Sequence, residues 1–145
     1  MSAQSQPANS TGRGSTPRPP FALAELSERC LGNAAVATLL LDKFEKQMHA
    51  DIRELEQRLA VGEAGQIART AHALKGAAGA VAAPVLRDLA AQVETLARQE
   101  HLESIAREMS SLRAEVERCL AYLPVARGVL ASALPAGPAG TETPP

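Results

Sequence analysis

Aromatic side chains are nearly missing from this chain: there is no tryptophan, one tyrosine and two phenylalanines in 145 residues. With so few rings, a formal net charge of -1 and no basic run, it lacks both the stacking surfaces and the positive field that nucleic acid requires, and no nucleic-acid partner is expected. Its two cysteines, Cys30 and Cys119, stand far apart with no metal-type spacing, which makes them buried thiols rather than a disulfide scaffold or a zinc site. The longest apolar run, from Ala34 to Leu41 with Thr38 inside it, is far short of the ~20 residues that span a bilayer, and no membrane association is expected. Arg13 and Arg18 precede no long apolar stretch, so no secretory leader is expected and the expected address is the cytoplasm. A glycine-rich phosphate loop closed by lysine is also missing, so the chain has no visible means of using ATP itself.

What is present is alanine and helical periodicity. Hydrophobic residues make up 46% of the chain, many of them alanine, a composition suited to closely packed helices. Residues 1–20 are rich in Ser, Pro, Gly, Gln and Asn and read as a disordered tail or linker. Leu23, Leu26 and Cys30 mark one face of a short capping helix that stops at Gly32, and Asn33 is a good N-cap for the next helix. Leu41, Phe44, Met48, Ile52, Leu55 and Leu59 then keep helical spacing up to Gly62. A helix over 64–81 follows. Pro84 suits the first turn of another, with the stripe Leu86, Leu89, Val93 and Leu96 and an end near Arg98. The last stripe, Leu102, Ile105, Met109, Leu112, Val116, Cys119 and Leu123, alternates spacings of three and four, and Pro124 is expected to close it ahead of a disordered tail over 124–145. No strand pattern competes. Long amphipathic helices joined by short turns predict an all-α, antiparallel, up-and-down four-helix bundle over 21–123 with a short N-terminal capping helix.

The helix over 64–81 carries the chemistry. Ile67, Ala71, Leu74, Ala78 and Val81 collect into one apolar stripe at ~100° per residue, and His72 falls roughly 140° from its centre, pointing at water. Gly76 and Gly79 lie on the His72 side, although each glycine costs ~1 kcal/mol against alanine inside a helix. Gly76, one turn beyond the ring, clears an approach for something large, and Lys75 sets a mobile positive charge beside it. An exposed imidazole, neutral near pH 7 and able to form a covalent intermediate, with an ammonium at hand suits the acceptance and return of a phosphoryl group. His49 and His101 have no ligand partners at useful spacing and read as surface residues.

The segment Ala71-His72-Ala73-Leu74-Lys75-Gly76-Ala77-Ala78-Gly79 resembles the signature of histidine-containing phosphotransfer domains, the four-helix intermediates of bacterial multistep phosphorelays. Leu86 and Val93-Glu94 downstream, and Phe44 and Gly62-Glu63 upstream, are similar to further family positions, so that the likeness runs from about Leu23 to Leu123. Ala82 stands where many members carry glycine, and Glu63 replaces the usual aspartate. The resemblance implies that His72 is the phosphoacceptor, taking the group from a receiver-domain phosphoaspartate and passing it to a second receiver. It implies response-regulator receivers and a hybrid sensor histidine kinase as partners, no cofactor of the chain's own, and Mg²⁺ on the partner receiver.

Lys75 is expected to offset phosphoryl charge and Gly76 to give access. Gln92 or Glu94, on the following antiparallel helix, is expected to hydrogen-bond the ring. Ala68, Arg69 and Gly79, with Ala77 and Ala80, would border a shallow docking patch. A monomer is expected. Three rivals stand against this reading. A sensor-kinase dimerisation domain would follow its histidine with an acidic residue and an Arg-x-Pro-type segment, which Ala73-Leu74-Lys75-Gly76 does not match. A metal-binding bundle would need paired Glu-x-x-His ligands, whereas Glu45 and His49 have the wrong spacing. A helical adaptor that binds signalling proteins without chemistry would leave His72 incidental.

Overall fold

A computed structural model describes residues 18–133, and the parts of the two expected tails that lie beyond these limits fall outside the described residues. Five helices follow one another: α1 Leu23–Arg29, α2 Ala34–Val61, α3 Ala64–Ala80, α4 Pro84–Arg98 and α5 Leu102–Ala133. Turns this short force each helix back along its predecessor, and α2 also packs on α5, so α2 to α5 close into the antiparallel four-helix bundle. The stripes read from the sequence are the core: Leu41, Phe44, Met48 and Leu55 on α2, Ile67, Ala71, Leu74 and Ala78 on α3, and Ile105 to Leu123 on α5 are buried. Both cysteines are buried and unpaired, and burial pushes the Cys119 thiol up to about 12, so it is no nucleophile near neutral pH.

On α4 the buried face is turned relative to the leucine pattern. Leu86, Ala90, Val93, Glu94 and Ala97 are buried, while Leu89 and Leu96 are only half-buried. Alanines on both partners, Ala71 and Ala78 of α3 against Ala90 and Ala97 of α4, let these two helices approach closely. The seam therefore follows the small residues, and Glu94, about 40° beyond Ala90 on the wheel at the edge of that face, is carried inward with them.

Two boundaries differ from expectation. Pro124 does not close the last helix, which runs on to Ala133. An internal proline costs ~3 kcal/mol, but Ala126 and Leu130 continue the stripe of Leu123 and are buried. Arg127 also reaches α2, pairing with Asp42 at 2.7 Å and Glu45 at 3.0 Å. At the other end, Pro20 is buried and the Arg18 carbonyl accepts from Arg118 at 2.9 Å, so residues 18–20 belong to the packed body rather than to a tail. Phe21 plugs this end of the bundle, edge-on to Phe44 with centroids 5.6 Å apart and 6.3 Å from Tyr122. The Ala22 amide donates to the Ala82 carbonyl at 2.7 Å, tying α1 to the α3–α4 turn.

All four helix-to-helix turns end in the same way, with a left-handed residue and paired backbone bonds that satisfy the last carbonyls. Gly62 fills that slot after α2 (φ 74°), as its place at the end of the stripe suggests. Elsewhere the slot is held by Leu31 (φ 54°), Ala82 (φ 59°) and Glu100 (φ 61°). A side chain in this region is strained by roughly 1–2 kcal/mol. At Glu100 a negative charge also stands against the carbonyl end of α4. Glu100→Gly, discounted for glycine's greater freedom when unfolded, is expected to stabilise the protein by about 1 kcal/mol, seen as a higher urea midpoint with an unchanged slope.

Candidate functional site

His72 sits in the middle of α3, on the face away from the buried stripe, and 65% of its side chain is exposed. Gln47 of α2 steadies the helix here by donating to the Ala73 carbonyl at 3.3 Å. Across the seam Glu94 of α4 has only 8% of its side chain exposed, and its carboxylate is shared three ways. Its Oε1 takes Lys75 Nζ at 2.8 Å, and its Oε2 takes both His72 Nδ1 at 3.0 Å and the Arg98 guanidinium at 2.5 Å.

This arrangement fixes the protonation state of the carboxyl. The Lys75 ammonium, helped by His72 and Arg98, outweighs the burial that would raise it, and the Glu94 pKa falls from 4.5 to about 2. An ionised carboxylate only accepts hydrogen bonds, so at neutral pH the proton on the ring is at Nδ1, donated to Oε2. The lone pair is then left on Nε2, on the side of the ring away from Glu94. The burial of one carboxylate thus sets both the orientation and the tautomer of an exposed imidazole.

The surroundings of the ring divide into an open side and a charged side. Gly76 is exposed, and a Cβ built there would meet nothing within 4 Å, so nothing in the packing of the chain itself calls for a glycine. Gly79 is half-buried and less free: its carbonyl accepts from Arg29, and a Cβ there would lie 4.0 Å from Arg87 Cδ. On the other side Ala68, Arg69, His72 and Arg98 line a shallow open depression. Arg69 is exposed and makes no ion pair among the described residues, whereas Lys75 is half-buried and committed to Glu94. Of the two α4 residues considered for the ring, Glu94 makes the bond, and Gln92 is exposed without one. Arg98 was not singled out from the sequence; its signal was the i,i+4 spacing from Glu94. His49 and His101 are exposed and do not line this depression, and no group of three His, Cys, Asp or Glu side chains suited to a metal occurs among the described residues.

The family model described as the Hpt domain matches residues 39–122. The chain belongs to the Hpt family. The match spans α3 and α4 whole, and so contains His72, Lys75, Gly76, Glu94 and Arg98. Among solved structures, the histidine-containing phosphotransfer protein B (HptB) from Pseudomonas aeruginosa PAO1 shares the fold, with a TM-score of 0.69 and 23% identity over 77% of this chain and 97% of that one. No curated protein sequence matches. As an Hpt-family protein the chain is a phosphotransfer intermediate of a phosphorelay, a phosphocarrier rather than a kinase, whose partners are receiver domains and kinases. No helix among the described residues is long and apolar enough to cross a membrane.

Because folding lowers the Glu94 pKa, the stability this carboxylate contributes is complete above about pH 4.5 and is lost as pH falls through about 2. Carboxyl ¹³C resonances should show Glu94 still ionised at pH 3.5. Glu94→Gln should remove this part of the acid-induced loss of stability and leave the ring without its fixed tautomer.

Proposed function

We propose that His72 is the phosphoacceptor and that Nε2 is its nucleophilic atom. The observation that carries this is the His72 Nδ1–Glu94 contact of 3.0 Å, with the ring exposed and the carboxylate buried. In the forward step the Nε2 lone pair attacks phosphorus of a receiver phosphoaspartate in line, the N–P bond forms, the acyl O–P bond breaks, and the aspartate leaves as a carboxylate. The ring gains positive charge while keeping its Nδ1 proton, and the Glu94 carboxylate is placed to stabilise that charge. The return step to a second receiver runs the same path backwards. Mg²⁺ and the catalytic carboxylates would come from the receiver, and this chain would act as a monomer. A hybrid sensor histidine kinase would stand upstream, and the site of action would be the cytoplasm.

In this reading Gly76 serves the partner. The face formed by Ala68, Ala77, Gly76, Gly79 and Ala80 is shallow and mostly small, which suits a transient receiver interface. The rival reading, a helical adaptor without chemistry, makes no use of a buried carboxylate held against an exposed ring.

Incubation with a phosphorylated receiver should place acid-labile label on the wild type and none on His72→Gln; equal labelling of the two would refute the assignment. A second substitution separates folding from docking. Gly76→Ala fills open space inside a helix and should stabilise the chain by about 1 kcal/mol, while slowing transfer from the receiver, as followed by stopped-flow or label decay.

A further inference from the structure

One carboxylate, Glu94, and three cations, Arg69 and Lys75 on α3 and Arg98 on α4, surround the imidazole. The sequence pattern assigns the phosphoryl charge to Lys75; the geometry points elsewhere. Lys75 is the sole side-chain partner of Glu94 Oε1 among the described residues, and it is half-buried. If it turned away, a buried carboxylate oxygen would be left without a donor, which is expensive. Arg98 shares Oε2 with the ring, so that oxygen keeps the Nδ1 proton when the guanidinium leaves.

Arg98 is also 66% exposed and reaches Glu94 from the solvent side, so that water can replace Oε2 around the guanidinium when it turns away. A phosphoryl dianion is a far stronger partner for a guanidinium than a carboxylate already paired with lysine. The depression beside the ring has Arg98 on one wall and the uncommitted Arg69 on the other.

We propose, on the reading that His72 is the phosphoacceptor, that this depression seats the transferred phosphoryl group and that Arg98 swings from Glu94 onto it, with Arg69 as the second cation, while Lys75 stays on Glu94. Arg98 is thus a phosphoryl-holding residue supplied by the neighbouring helix. Its departure also leaves Oε2 wholly to the Nδ1 proton, at the moment when the ring carries most positive charge.

The test uses the full chain with His49→Gln and His101→Gln, so that His72 is the single histidine of three that remains. Phosphoramidate supplies the group without any partner: the Nε2–P bond forms, the donor's P–N bond breaks and ammonia leaves. A ³¹P titration then follows the second ionisation of phospho-His72. Arg98→Gln should raise its midpoint by about half a unit or more, Arg98→Lys should restore most of the shift, and Arg69→Gln should move it in the same direction by less. A purely structural role for Arg98 would leave the phosphorus titration in place. Coincident titrations for Arg98→Gln and the parent overturn the proposal, whatever Arg69→Gln does. If the parent takes no phosphoryl group at position 72, the phosphoacceptor reading falls and this one with it. If it does, and only the Arg98 titration fails to move, the phosphoacceptor reading survives alone.

Discussion

A single buried carboxylate orders everything near the candidate site. Glu94 is held ionised by an ammonium, a guanidinium and an imidazole N–H converging on its two oxygens, and it has little water to share. An exposed histidine on a helix would otherwise sample several rotamers and both tautomers. Here one orientation is imposed from below. The ring stays in the open while the carboxylate that orients it is inside, so the candidate site is both accessible and preorganised.

The position of Glu94 is a packing result before it is a chemical one. Alanines on α3 and α4 bring the two backbones together, and the seam they define turns α4 so that Glu94 lies at its inner edge. This is why the helix was legible in the sequence but its exact face was not. Leu89 and Leu96 are the larger hydrophobic residues and dominate a periodicity count, yet Ala90 and Ala97 make the closer contact. Size patterns report how much area a residue can bury, whereas close approach is decided by how little stands in the way.

Much else was legible. The stripe of α3, the exposure of His72 on its far side, the Asn33 cap, the Gly62 turn and the Pro84 start all follow from spacing and local chemistry. What escaped depended on contacts between distant segments. Pro124 is a helix breaker in isolation, but Leu130 in the core and Arg127 on Asp42 and Glu45 carry the helix across it. Pro20 stands in a stretch with the composition of a tail and is nonetheless buried. Leu31, Ala82 and Glu100 occupy left-handed slots that favour glycine, and only the first has a glycine, Gly32, beside it to mark the turn. At Ala82, where the family's usual glycine is replaced, the small methyl is buried and the conformation is kept at some strain. Around the candidate site, the exposure of His72 and of Gly76 was legible in the sequence and Glu94 was one of two residues expected against the ring, while Arg98 carried only an i,i+4 spacing, and its sharing of Oε2 with the ring is a matter of geometry.

The clustering of Phe21, Phe44 and Tyr122 at the capping end has a practical side. With no tryptophan and one tyrosine in the chain, emission excited beyond the phenylalanine absorption band comes from Tyr122 alone, against the ring of Phe21. Tyrosine emission of this protein is therefore a gauge of whether the N-terminal plug is seated.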